Sequence, residues 1–186
     1  NVVYVETECG TVTYKAENLQ DAVTAAKEGG TITFAPGTYE GDITFGGKSL
    51  TLKAQYPVYE DGEIATENVT SFTGTFNTYG ESPEDFNANQ TIIIEGIAFS
   101  GDGLKVGNAN YNSVGNLVVR NCTFACGDNA TPTPGSTYAA QNYLIKTNGN
   151  DDGHYASVTV ENNHFSGKPA EGIYPIQLWD VNNVTS

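Results

Sequence analysis

One repeat constrains this chain more than any other feature. Ile92-Ile-Ile-Glu-Gly-Ile-Ala-Phe99-Ser-Gly101 aligns with Leu117-Val-Val-Arg-Asn-Cys-Thr-Phe124-Ala-Cys-Gly127 and with Val158-Thr-Val-Glu-Asn-Asn-His-Phe165-Ser-Gly167. The second copy needs one extra residue before its glycine. Each copy reads aliphatic, any residue, aliphatic, then Gly or Asn, with Phe five residues after the second aliphatic. The copies start at Ile92, Leu117 and Val158, so they lie 25 and then 41 residues apart. The first spacing is one coil of a solenoid; the second is one coil plus an insertion.

A short strand with a single apolar face cannot bury that face alone. Stacking equivalent strands gives each one a neighbour above and below and makes the core continuous. Phe99, Phe124 and Phe165 would then form one interior column. Asn121 and Asn162 at a tight bend suit a ladder in which each amide bonds its counterpart, with Gly96 in that place in the first copy. An antiparallel sandwich of unrelated strands would not align Asn and Phe at fixed offsets. The expected fold class is therefore all-β: a right-handed parallel β-helix (solenoid) with a short N-terminal capping helix.

The expected helix covers about residues 18–28. Asn18 is placed to cap it, Leu19, Ala22, Val23 and Ala26 form its apolar stripe, and Gly29-Gly30 ends it. Short strands follow, separated by Gly, Asn and Asp turns: Thr31–Phe34, Asp42–Phe45 and Ser49–Lys53, with a turn at Pro36-Gly37. Residues 1–186 read as a single domain with insertions at about 56–70 and 127–142, expected to be a mature or excised piece of a longer protein. Cys122 and Cys126 are read as small core fillers, with a local disulfide as the alternative; Cys9 is then left over.

Gly10-Thr-Val-Thr-Tyr14, Asn18-Leu-Gln-Asp-Ala-Val23, Gly29-Gly-Thr-Ile-Thr-Phe34, Pro36-Gly-Thr-Tyr39 and Lys48-Ser-Leu-Thr-Leu52 resemble the opening of right-handed parallel β-helix proteins of the pectate-lyase-like superfamily. The Val-x-Val-x-Asn-Asn-x-Phe units resemble that superfamily's repeat, and the chain is most similar to the non-catalytic repeat regions of bacterial surface and adhesin proteins. The resemblance implies a fold more than a function, because the superfamily holds lyases, hydrolases, esterases, epimerases, phage tail proteins and adhesins.

Charge narrows the partners. Eight Lys and Arg stand against 22 Asp and Glu, a net charge of -14. Nucleic acids and anionic membranes are held by clustered cations, and here the cations are scattered, with Arg120 the sole arginine. No apolar run reaches the roughly 18 residues of a membrane span. Neither nucleic-acid binding nor membrane insertion is expected. Few Lys, many Asn and Thr, and strong acidity point to an extracellular protein, secreted or attached to a cell surface.

For catalysis the suggestive run is Asn148-Gly-Asn-Asp-Asp-Gly-His154. Were the chain an enzyme, Asp151 and Asp152 would serve as acid and base with His154 nearby. The plainer reading is a solvated turn. A Ca2+ loop built on Asp151 and Asp152 is a third, since hard cations seek clustered oxygens. The expected cofactor is thus none, or Ca2+. The arginine motifs of the superfamily's lyases are absent, and Arg120 reads as an outward strand residue paired with a neighbouring carboxylate. His164 should also point outward.

Binding is the better-supported activity. Insertions tend to project and carry function, and these hold Tyr56, Tyr59, Asp61, Glu63, Asp128 and Tyr138. In Tyr174-Pro-Ile-Gln-Leu-Trp-Asp180, alternation turns Ile176 and Leu178 inward and Gln177 and Trp179 outward. Trp179 could stack on a sugar face while Gln177 and Asp180 bond hydroxyls, with Tyr138 as a further ligand-binding residue. A Trp tucked under a loop is the alternative. The leading expectation is a non-catalytic extracellular module in adhesion or glycan binding, its partner a glycan or a surface protein of a host or neighbouring cell. A polysaccharide-active hydrolase or lyase is one alternative. A structural subunit associating end to end through its open C-terminal coil is another.

Overall fold

Short strands with alternating burial pair in register with strands one repeat away, and the computed structural model describes residues 1–78, 89–101, 104–107, 115–125, 143–147, 157–167, 174–178, 181 and 184–185. The largest sheet has eight strands. In spatial order they are β2 (Gly10–Lys15), β1 (Val2–Thr7), β3 (Gly30–Phe34), β6 (Leu50–Ala54), β11 (Thr91–Glu95), β14 (Asn116–Arg120), β17 (Ser157–Glu161) and β20 (Val184–Thr185). From β3 onward the pairing is parallel, and it places Ile32, Leu52, Ile94, Val119 and Val160 in one row. Burial of that row dictates the register, because a slip by one residue would turn every aliphatic to solvent.

The second sheet has five parallel strands: β4 (Gly37–Tyr39), β9 (Thr70–Phe72), β12 (Ala98–Phe99), β15 (Thr123–Ala125) and β18 (His164–Ser166). Its register aligns Tyr39, Phe72, Phe99, Phe124 and Phe165. The Phe99 and Phe124 rings stack with centroids 5.0 Å apart and planes 9° apart, and Phe124 and Phe165 stack at 5.0 Å and 11°. The third sheet, also parallel, runs β5 (Ile43–Thr44), β10 (Phe76–Asn77), β13 (Val106–Gly107), β16 (Tyr143–Lys146) and β19 (Tyr174–Gln177), with Ile43, Phe76, Val106, Ile145 and Ile176 in register.

Between the first and second sheets the chain turns through left-handed backbone at equivalent places: Gly96 at φ 73°, Asn121 at φ 55° and Asn162 at φ 48°. Asn tolerates this conformation better than other side chains, and the Asn162 side-chain amide donates to the Asn121 side-chain oxygen at 2.7 Å. Gly in the first copy has a separate cause, since a Cβ on Gly96 would lie 2.8 Å from the Pro57 Cα.

These sheets correct the expectation of a right-handed parallel β-helix. The molecule is mostly β with a single short helix among the described residues, but its sheets are mixed and parallel, and no closed β-helix is found there. The largest sheet is mixed because β1 runs antiparallel to both β2 and β3. The repeat determines which residues stand beside one another across strands, since register follows the apolar face. It carries the turn from the first sheet to the second but no pattern beyond its closing glycine, so it does not determine closure.

The helix also departs from expectation. A 3-10 turn, Ala16–Asn18, leads into α1 (Leu19–Ala25), and the Asn18 side chain makes no capping bond. Ala26 is already extended, at φ -59° and ψ 138°, three residues before Gly29. Lys48 takes over the end: its Nζ donates to the carbonyls of Thr24 and Ala26 at 2.5 and 2.9 Å. Leu19, Ala22, Val23 and Ala26 are buried, as the stripe requires. The helix also seals a sheet edge. Gln20 Nε2 donates to the Thr44 carbonyl and Thr44 N donates to Gln20 Oε1, both at 3.0 Å, so one side-chain amide stands in for a missing strand beside β5.

Cys122 is a free, fully buried thiol, which is the core-filling reading rather than the cross-link. Burial pushes its pKa from the ordinary 9.0 up to about 12. Between those values the folded chain keeps a proton that the unfolded chain has lost, so stability must fall as pH rises. Denaturant titrations from pH 9 to 11 should show a decline steeper in the wild type than in Cys122→Ala, by roughly 1 kcal/mol per pH unit. Parallel declines would contradict the assignment.

Candidate functional site

Residues 55–69 leave the ladder between β6 and β9, and within them Tyr59-Glu-Asp-Gly-Glu-Ile64 forms a hairpin. Its strands, β7 (Tyr59–Glu60) and β8 (Glu63–Ile64), pair Tyr59 with Ile64 and Glu60 with Glu63. Asp61 at φ 50° and Gly62 at φ 85° supply the two left-handed residues of a type I′ turn. Asp-Gly between two strand-forming pairs is the sequence signal for this turn, and it marks a hairpin inside what the sequence shows only as an insertion.

A two-stranded ribbon is marginal by itself, and this one is pinned at several points. Val58 is buried, and its N–H donates to the Gly96 carbonyl at 3.0 Å. Ala65 N donates to Val58 O at 2.8 Å. The Tyr59 ring lies 5.6 Å from the His164 imidazole, tilted by 44°. His164, on β18, therefore has a partner that the sequence did not reveal. The hairpin reaches along the row of left-handed turns from the first repeat copy to the third.

What stays open is acidic, with apolar residues among its lining. Pro57, Glu60, Asp61, Glu63, Ile64 and Ala65 line a depression of about 290 Å³. Glu60 and Glu63 face each other directly, an arrangement that costs stability through like-charge repulsion. Ile64 is 47% and nearby Tyr56 48% exposed. Carboxylates accept hydrogen bonds from hydroxyls, and Pro57, Ile64 and Ala65 offer apolar surface to C–H faces. That combination fits an uncharged polyhydroxylated ligand.

Compared with known proteins, the chain matches no protein-family model, no curated protein and no solved structure. The functional reading therefore rests on the site.

Of the ligand-binding residues named from sequence, Trp179, Asp180 and Tyr138 lie outside the described residues, and so does the insertion at 127–142. Gln177 is placed through its backbone alone, on β19 in register with Lys146. Asp151, Asp152 and His154, the candidate acid, base and Ca2+ ligands, also lie outside. Among the described residues no three His, Cys, Asp or Glu side chains are grouped to hold a metal ion. No described helix is long and apolar enough to cross a membrane.

Arg120 takes the place expected of an outward strand arginine. Register sets it between Glu95 and Glu161, and its Nε and a terminal nitrogen donate to one Glu95 oxygen at 3.0 and 2.8 Å. This partly exposed pair contributes about 1 kcal/mol or less. Two buried cations had no signal in the sequence. Lys105 Nζ donates to the Thr73 carbonyl at 2.9 Å. Lys146 is buried on the next strand of the third sheet, and desolvation holds its ammonium below the usual lysine pKa.

Proposed function

We propose that this chain is a non-catalytic binding module of an extracellular bacterial protein, secreted or attached to the cell surface, and that it takes a neutral glycan. One observation carries the reading. A hairpin anchored at Gly96 and His164 holds Glu60 and Glu63 face to face in a depression that Pro57, Ile64 and Ala65 also line, a like-charge pair that fold stability disfavours. Hydroxyl donors would offset that repulsion. Polyuronates are unfavourable ligands, because a net charge of -14 repels them. Trp179 with Gln177 and Asp180 is a second contact region in this proposal.

Calorimetry against a panel of neutral and acidic oligosaccharides tests it. A neutral glycan should bind, and Glu63→Ala should weaken binding at least about tenfold, the loss of roughly 1.4 kcal/mol expected from one or two hydrogen bonds to a charged acceptor. Glu63 is exposed on the short strand β8, so its replacement leaves the core untouched. Binding of acidic glycans alone, or equal binding by Glu63→Ala, would overturn the site. Trp179→Ala, measured in parallel, reports separately on the second region.

A further inference from the structure

At the N-terminal end of the sheets, two edges are closed by side chains. Gln20 pairs with the backbone of Thr44 beside β5, and the Asn1 amide donates to the Thr38 carbonyl beside β4 at 2.6 Å. The third edge is β2, and it is different. It is the terminal strand of the eight-stranded sheet, five of its six residues are exposed, and among the described residues no strand pairs with its outer side. An unpaired strand of this length is a template for strand addition.

The hydrogen-bond parity of the hairpin shows which groups are free. The carbonyls of Val2 and Glu6 on β1 accept from Ala35 and Lys27, so those residues bond away from β2. The Asn1 carbonyl accepts from Ala16, so the alternate residues of β1 bond toward β2. Val3, Val5 and Thr7 therefore exchange bonds with Tyr14, Val12 and Gly10, their register partners. That leaves the N–H and C=O groups of Thr11, Thr13 and Lys15 pointing outward along the edge.

We propose that β2 pairs antiparallel with β2 of a second copy of this chain, about a two-fold axis through Thr13. Parity allows only registers that oppose Thr11, Thr13 and Lys15 to one another, and the register centred on Thr13 makes the most bonds. Thr13 opposes Thr13, and each Thr11 opposes a Lys15 of the other copy. The same register sets Val12 against Tyr14 of the other copy in the closer, non-hydrogen-bonded pairs. Val12 is 42% exposed and Tyr14 only partly buried, so the pairing covers apolar surface that β1 leaves open. The strand is self-complementary in both its backbone and its side chains. One strand pair buries less than the roughly 1,200 Å² of a stable dimer, so the association is weak.

The test is sedimentation velocity from about 10 μM to about 1 mM, with reductant so that exposed Cys9 forms no cross-link, and at about 0.5 M salt to screen like charge. Mass should rise from 19.8 kDa toward twice that value. Over the same range, amide exchange should slow at Thr11, Thr13 and Lys15 and stay unchanged at Val12 and Tyr14. Thr13→Pro removes an outward donor without taking a bond from β1, and Val12→Glu places a charge against Tyr14; each should weaken dimerisation at least about tenfold. If Thr13→Pro fails to fold, Val12→Glu decides. A monomer at the highest concentration, protection at other residues, or dimers that resist the foldable variants would overturn the proposal.

Discussion

Phe124→Ala should cost about 3–5 kcal/mol, the range for deleting a buried aromatic. Phe124 is fully buried, and its ring is sandwiched between Phe99 and Phe165 at 5.0 Å on each side. The substitution thus opens a cavity and breaks two aromatic contacts at once. The backbone around the cavity is tied into a five-stranded parallel ladder and has little freedom to collapse. For a chain of this size the melting temperature should drop by roughly 10 °C. Phe165→Ala should cost less, because Phe165 is only partly buried and has a stacking partner on one side alone among the described residues. Equal losses, or a Phe124→Ala variant melting within a degree or two of wild type, would contradict the column.

Gly107→Ala should be comparably severe for a different reason. Gly107 sits at φ 131°, in register with Lys146 on β16. An added Cβ would overlap the Lys146 carbonyl oxygen and approach that residue's backbone carbon and nitrogen at 2.8 and 3.0 Å. Backbone cannot swing aside as a flexible side chain would, so β13 and β16 must separate. Strained φ and overpacking together should cost at least about 3 kcal/mol. Gly46→Ala is the control. Gly46 also has a positive φ, 61°, but a Cβ there meets nothing, so the loss should stay near 1 kcal/mol. Denaturant titration of both variants separates crowding from backbone preference, and equal losses would contradict the close approach.

How far the sequence carries depends on what each pattern encodes. Alternating aliphatics at 92–94, 117–119 and 158–160 encode a buried face, and they stand in register as that face requires. The Phe and Asn offsets likewise become a ring column and a side-chain bond. Closure into a β-helix is an extrapolation from these local facts. It fails because β1 runs antiparallel and the residues between one repeat copy and the next share no pattern. The helix falls short for a similar reason: Gly29-Gly30 is a plausible stop, but Lys48, distant in sequence, satisfies the last carbonyls earlier. At the candidate site, the break in coil spacing marks the insertion and the Asp-Gly pair marks its turn. Tyr59 meeting His164 is invisible in the sequence, since residues 105 positions apart share no local signal. The burial of Lys146 is invisible for the same reason.

The claim that this chain binds glycan without transforming it meets its most direct test in one vessel. A neutral oligosaccharide that the chain binds is incubated with it for hours, and bound fraction and reducing-end or unsaturated products are followed together. Saturable, reversible binding with intact ligand recovered is the predicted result. Steady product release that Asp151→Asn abolishes would contradict the claim and make the protein an enzyme.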